Sequence, residues 1–203
     1  IMHYHYGSRP IGKYSYLDFI LHLAPNLPKD NQVFMHDNSL AWRGNIEEIP
    51  GDLFLNICHW KSARNTHPVK DAYKTVNRQW RSALAHFNGN NFEADNIRLA
   101  LGELTQLKGV KVPTASALLT AWNPEQFAII DFKVLEILKL EQNVTIEGYI
   151  KYRKKLLKLK NSKRYPELKK CALRQIELAL WFYYPVQKEG EVKKKRKLNN
   201  FIH

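Results

Sequence analysis

The sequence predicts one mostly α-helical domain, and three observations support this. The chain has 203 residues, of which 44% are hydrophobic and 25% charged, which is enough to bury one core. Apolar residues recur three and four positions apart through most of the chain, which is the period of an amphipathic helix. Short breaks rich in Pro, Gly and Asn separate one such stretch from the next.

The first elements follow from capping and turn signals. Ser15 and Asp18 form a capping box that opens a helix to about Ala24, before Pro25. The segments 32–36 and 39–43 flank Asp37-Asn38 and predict a short β-hairpin, with a plain loop as the alternative. Asp52 is expected to cap a helix whose larger side chains are Leu53, Phe54, Ile57, Cys58 and Trp60.

The middle of the chain predicts three helices in succession. The first opens at Pro68 and ends at Asn88–Asn91. Its apolar stripe comprises Val69, Ala72, Tyr73, Val76, Trp80, Ala83, Leu84 and Phe87. The stripe of the second comprises Ile97, Ala100, Leu101, Leu104 and Leu107. The third begins at Pro113 and runs to Trp122.

The last part predicts three more helices. Asp131 stands at the N-cap position of a helix over 132–140, and Thr145 caps the next one. That helix turns Ile146, Tyr149, Ile150, Leu156 and Leu157 inward and Lys151, Lys154, Lys155 and Lys158 outward. The final helix starts near Pro166 and is expected to end near Tyr184-Pro185.

The domain limits and compartment follow from composition. Residues 1–8 lack the apolar core of a signal peptide and are expected to be a cloning-tag remnant. Residues 9–185 form the helical domain, and 186–203 are expected to be a flexible basic tail. No apolar run approaches the ~18 residues of a membrane span. The two cysteines, Cys58 and Cys171, are too few for a cysteine zinc site or an iron–sulfur cluster, and they favour an intracellular protein. That would be the cytoplasm or nucleoid of a bacterium, or the nucleus of a eukaryote.

The positive charge is concentrated in two blocks. The chain carries a formal net charge of +13. Residues 151–170 contribute +9 and residues 188–197 contribute +4, so the remainder is neutral. A neutral body with two basic blocks favours a polyanionic partner such as nucleic acid, with a solvated helix face and tail as the alternative. The run Lys193–Lys197 is typical of a nuclear localisation signal, a DNA-sliding tail or a solubilising end.

The segment 104–140 carries the chemical information. One helix is expected to end at a tight turn around Gly109, and the next starts at once at Pro113. The free backbone N–H groups and dipole of that second helix favour a phosphate, and Lys108 and Lys111 flank the turn. About 20 residues later Asp131 follows an apolar pair. A carboxylate there can stabilise a developing cation on a sugar.

These residues resemble the helix-hairpin-helix DNA glycosylase superfamily of base-excision DNA repair, with a hairpin at 107–115 (LKGVKVPTA) and Asp131 in the place of the catalytic acid. The resemblance implies a fold of that type, base flipping from double-stranded DNA, and DNA contacts by Lys108, Gly109, Val110, Lys111 and Thr114. It also implies a Na⁺ or K⁺ ion at the carbonyls of Thr105, Leu107 and Val110, with no organic cofactor. The segment 60–64 (WKSAR) is similar to one in uncharacterised glycosylase-like proteins. Candidates for the base pocket are Trp60, Lys61, Arg64 and Trp122, and candidates for phosphate contacts on the basic helix are Lys151, Lys154, Lys155 and Lys158.

Three departures from the family pattern limit the type of glycosylase that the resemblance implies. Lys111 replaces the second hairpin glycine, and it would be strained if that position needed a positive φ. Pro113 replaces the lysine that serves as nucleophile in bifunctional members. The four clustered cysteines of the iron–sulfur branch are missing. The resemblance therefore implies a monomeric, monofunctional N-glycosylase without an iron–sulfur cluster.

Plain structural roles remain open for the same residues. Gly109 serves equally well as a helix C-cap, and Asp131 as an N-cap. Tryptophans are more often core than base-stacking residues, and Trp80 is assigned to the core. The alternative function is a non-catalytic helix-hairpin-helix DNA-binding module, which would keep the hairpin and the basic helix but lack a base pocket.

Overall fold

The computed structural model describes residues 21, 23–27, 48–61 and 75–199. Over this part of the chain it contains seven α-helices and no strand. These are α1 (Gly51–Lys61), α2 (Val76–Ala85), α3 (Ala94–Thr105), α4 (Val112–Trp122), α5 (Phe132–Ile137), α6 (Ile146–Lys160) and α7 (Leu173–Asn199). Short 3₁₀ turns cover Ala24–Asn26, Asn88–Asn90 and Pro166–Lys170. The prediction of a mostly helical protein is confirmed.

Several predicted features lie outside the described residues. They include the capping box at Ser15, the hairpin over 32–43, Pro68 and the pocket candidate Arg64. Helix α2 begins only at Val76 and ends at Ala85, so the single helix predicted from Pro68 to Asn88 is wrong at Thr75 and at its end. In the part of the chain that is described, no helix is both long and apolar enough to cross a bilayer.

Helix α4 forms the centre of the fold. Its residues from Thr114 to Ala121 are all buried, whereas the other helices have exposed faces. A helix that is apolar nearly all round must be enclosed by its neighbours. Helices α1 and α3 pack against α4, and α2, α6 and α7 complete the layers around them. The residues that precede and follow α4 are therefore held close to the core.

The caps at two helix starts are as the sequence predicts. Asp131 is the N-cap of α5, and its side chain accepts a hydrogen bond from Lys133 N. Thr145 is the N-cap of α6 and accepts from Gly148 N. The start of α4 at Val112-Pro113 and its end at Trp122 also agree with the prediction.

Other boundaries were predicted wrongly. Helix α1 begins at Gly51, so Asp52 lies in its first turn rather than at its cap. Helix α5 ends at Ile137 and not at Leu140, because Lys139 adopts a left-handed backbone with φ +54°.

The last helix also differs from the prediction. Pro166 starts a 3₁₀ turn, and Cys171 is extended before α7 begins at Leu173. The helix then continues through Pro185 to Asn199 instead of ending near Tyr184. A proline removes one backbone donor from a helix, and here that loss does not end it. The flexibility of 186–203 stays a prediction.

Candidate functional site

Asp131 is held by two partners, one on each carboxylate oxygen. Its Oδ1 accepts a hydrogen bond from Lys133 N at 3.0 Å, and its Oδ2 accepts one from Lys61 Nζ, also at 3.0 Å. The Asp131 side chain is 18% exposed and that of Lys61 is 13% exposed. This mostly buried ion pair joins the end of α1 to the start of α5 and fixes the orientation of the carboxylate, and a small part of the Asp131 side chain remains accessible to solvent.

The extended segment that leads into Asp131 is tied down by three distant side chains. Ile130 N donates to Ser116 Oγ of α4 at 3.2 Å. Ile129 O accepts from the Tyr152 hydroxyl of α6 at 2.9 Å, and Ile129 N donates to Glu177 of α7 at 3.4 Å. Three helices therefore set the position of the acid.

Beneath this segment lies a buried charged pair. Glu177 and Arg174, both on α7 and both buried, form an ion pair. Burial raises the pKa of Glu177, against the lowering effects of Arg174 and, more weakly, of Lys61. Burial also raises the pKa of the Tyr152 hydroxyl well above its usual range, and the charge of Glu177 adds to this rise. Tyr152 is therefore a neutral donor to Ile129 O at any ordinary pH.

The hairpin turn joins α3 to α4 through a left-handed glycine. Gly109 has φ +85°, and Val110 N donates to Leu107 O at 3.0 Å to close the turn. Lys111 is the N-cap of α4 with φ −109° and ψ 171°. That is ordinary extended backbone, so the strain considered for a lysine at this position does not arise.

The hairpin presents its two lysines to solvent. Lys108 and Lys111 are exposed, whereas the side chains of Val110 and Thr114 are buried. The first hydrogen bond of the regular α4 ladder runs from Ala115 N to Lys111 O. The amides of Val112 and Thr114 precede it and lack an intrahelical partner of that kind. Because their side chains are buried, Val110 and Thr114 could contact DNA only through backbone atoms.

The implied cation would be held by carbonyls of this same turn. Backbone carbonyls are ligands that suit a monovalent cation. Thr105, Leu107 and Val110 lie within one short stretch, and Leu107 O already accepts Val110 N, which leaves it one lone pair. The ion stays an implication of the resemblance. Among the described residues, no three His, Cys, Asp or Glu side chains are grouped to hold a metal.

The described base-pocket candidates lie in different surroundings. Trp60 is 40% exposed and precedes Lys61 at the end of α1. Trp122 instead stacks on Phe87, with ring centroids 5.5 Å apart, and contacts Phe127 and Trp80 at the opposite end of α4 from the hairpin. Trp122 therefore belongs to an aromatic cluster of the core. Trp80 is fully buried, as predicted.

The basic helix has the predicted two faces. Its predicted lysines are exposed, namely Lys151, Lys154, Lys155 and Lys158. Its opposite face buries Tyr149, Tyr152 and Leu156 against the core. A cavity of about 210 Å³ lies where α5 ends and α6 begins, lined by Leu135, Lys139 and Lys151 among others. Asp131 is not among its lining residues, so this cavity does not decide whether a base pocket adjoins the acid.

Sequence reasoning missed the residues that position Asp131. Lys61 was a pocket candidate without a known partner, and Ser116, Tyr152 and Glu177 were not singled out. Glu177 carried a usable signal, because an acid between Ile176 and Leu178 in a long apolar stretch needs a buried partner. No sequence signal indicated the pairing of Lys61 with Asp131, because 70 residues separate them.

No protein-family model, curated protein sequence or solved structure matches this chain. The likeness to helix-hairpin-helix glycosylases therefore depends on the hairpin, Asp131 and the segment 60–64 alone.

Proposed function

We propose that this chain is a monofunctional DNA N-glycosylase that hydrolyses the N-glycosidic bond of a flipped base. One observation carries the proposal: Asp131 is a mostly buried carboxylate fixed by Lys61, and the residue before it, Ile130, is hydrogen-bonded to Ser116 on the helix that follows the hairpin. This connection gives the acid a defined position relative to a phosphate bound at the turn.

Asp131 acts on the sugar and on water. Its negative charge stabilises the oxocarbenium-like transition state, and its free lone pairs orient the attacking water. Each carboxylate oxygen has one protein partner in the structure and can accept a further hydrogen bond. Lys61 is a positioning residue, because it fixes the carboxylate through Oδ2.

The DNA backbone is bound by two surfaces. The exposed lysines of the hairpin and the helix start at Val112 bind one phosphate, and the lysine face of α6 adds sequence-independent charge. Neither surface contacts base edges in a sequence-specific way. The choice of the excised base is therefore made by contacts near Asp131.

The test is a screen of lesion-containing duplexes with the wild type and with Asp131→Asn. Asparagine caps a helix nearly as well as aspartate, so the fold and DNA binding should persist. Single-turnover excision of whichever base the wild type releases should fall by about 10²–10⁴-fold. Asp95→Asn is the control, since Asp95 is an exposed acid in the first turn of α3. Full activity of Asp131→Asn would remove the residue from the mechanism.

A second test concerns the missing lysine. Because Pro113 occupies its place, borohydride should trap no covalent adduct between enzyme and DNA, and the product should be an intact abasic site. Lys61 is the amine that contacts Asp131. An adduct that forms with the wild type and disappears in Lys61→Arg would contradict the monofunctional assignment.

A non-catalytic DNA-binding module is the second candidate. The observation in its favour is that both Asp131 oxygens already have structural roles. One caps helix α5, and the other forms the ion pair with Lys61. This function predicts duplex binding without excision of any base in the screen. It also predicts that Asp131→Asn leaves duplex binding unchanged.

A further inference from the structure

An aromatic patch stands beside the candidate site. We define it as Phe132, Trp181 and Tyr184 together with Lys133 and Lys188, and it is formed where α5 packs on α7. Phe132 directly follows Asp131 and is 52% exposed, although a phenylalanine gains most from burial. An exposed ring next to a candidate catalytic acid is in a position to contact a substrate bound there.

The rings of the patch are held in a defined arrangement. Phe132 meets Tyr184 edge to face, with centroids 6.3 Å apart and planes at 81°. The Tyr184 hydroxyl donates to Glu136 at 3.1 Å, which anchors that ring to α5. Because its neighbour is fixed in this way, Phe132 presents its free surface to solvent at low conformational cost.

Lysines border the same rings. Lys133 Nζ lies 4.2 Å from the centre of the Trp181 ring, and Lys188 Nζ lies 5.5 Å from that of Tyr184. Lys188 also pairs with Glu136, so part of the positive charge is offset. Aromatic rings interleaved with ammonium groups are typical of surfaces that bind unpaired nucleotides, where a base stacks and its phosphate meets a cation.

We propose that this patch stacks an unpaired nucleobase of a DNA strand, next to the nucleotide whose sugar faces Asp131. The preferred substrate is then DNA with unstacked nucleotides, such as a single strand, a loop or a mismatch, rather than a fully paired duplex. The inference rests on the proposed function for the identity of the nucleic acid. A purely apolar partner is disfavoured because Lys133 and Lys188 lie within the patch.

The experiment removes the ring and the base separately. Fluorescence anisotropy measures the Kd of the protein for two labelled single strands of about 15 nucleotides. The first is oligothymidylate, and the second has abasic residues in place of the central thymidines. The variants are Phe132→Leu, which keeps an apolar side chain, and Phe132→Trp, which keeps a ring. Leu99→Ala is the control, since Leu99 on α3 is also 52% exposed.

Loss of stacking should weaken binding by about 5- to 150-fold. Phe132→Leu should show this loss on the thymidine strand and none on the abasic strand, whereas Phe132→Trp and Leu99→Ala should bind as the wild type does. If Phe132→Leu binds both strands as the wild type does, the patch is not a stacking surface, and the proposed function is untouched. If the wild type binds neither these strands nor duplex DNA, the proposed function fails and this inference with it.

Discussion

The two halves of the candidate site are built in different ways. The hairpin turn is closed by local backbone hydrogen bonds, such as that from Val110 N to Leu107 O, and by the left-handed Gly109. Asp131 is instead positioned by side chains from remote helices. Lys61 of α1 contacts its carboxylate, and Ser116 of α4 and Tyr152 of α6 hold the two residues that precede it. A local turn tolerates changes elsewhere in the protein, whereas the acid depends on the packing of the whole domain.

This difference predicts where function is sensitive to mutation. A change at the hairpin should alter affinity for DNA without altering the chemical step, because uniform binding does not lower the barrier. A change at a partner of Asp131 should alter the chemical step at constant affinity.

Among the residues that position Asp131, the largest effect is expected at Lys61. Lys61→Met keeps the aliphatic stem but removes the ammonium that holds Asp131 Oδ2. Single-turnover excision at saturating enzyme should fall by about 10- to 100-fold, the equivalent of a hydrogen bond to a charged group. Lys61→Arg should recover part of the rate, which a loss of folding alone would not explain.

The matched control for Lys61 is Lys108→Met on the hairpin. It should raise the Kd for duplex DNA and leave the rate at saturating enzyme unchanged. If Lys108→Met slowed the reaction at saturating enzyme as much as Lys61→Met does, the hairpin would also act on the chemical step, and the proposed difference between the two regions would be wrong.

A smaller effect on stability is expected at Ser116. This side chain is fully buried, accepts from Ile130 N and donates to Pro113 O. Ser116→Ala leaves the Ile130 amide without its acceptor and should lower the free energy of unfolding by about 1–3 kcal/mol. Urea denaturation followed by circular dichroism measures this. A loss below about 0.5 kcal/mol, the usual effect of a surface change, would show that the tie to α4 is dispensable.

The same contrast explains what the sequence could predict. The turn at Gly109, the start of α4 and the Asp131 cap depend on residues within four positions of each other, and all three were predicted. The end of α5 was not, because the left-handed backbone of Lys139 carries no residue signal. The Lys61–Asp131 pair and the Glu177 contact arise only from tertiary packing, which single-sequence periodicity does not encode.

The smallest effects are expected within the hairpin itself. Gly109→Ala forces a Cβ into a backbone with φ +85° and should cost about 1–2 kcal/mol of unfolding free energy. Lys111→Gly introduces the glycine of the family that the hairpin resembles, but at φ −109°, a backbone conformation that any residue adopts. It should therefore bring no gain in stability and cost less than about 1 kcal/mol through added freedom of the unfolded chain. Urea denaturation of both variants checks this pair. Stabilisation by Lys111→Gly would mean that the turn is strained in solution, and the hairpin could then no longer be regarded as a self-sufficient local element.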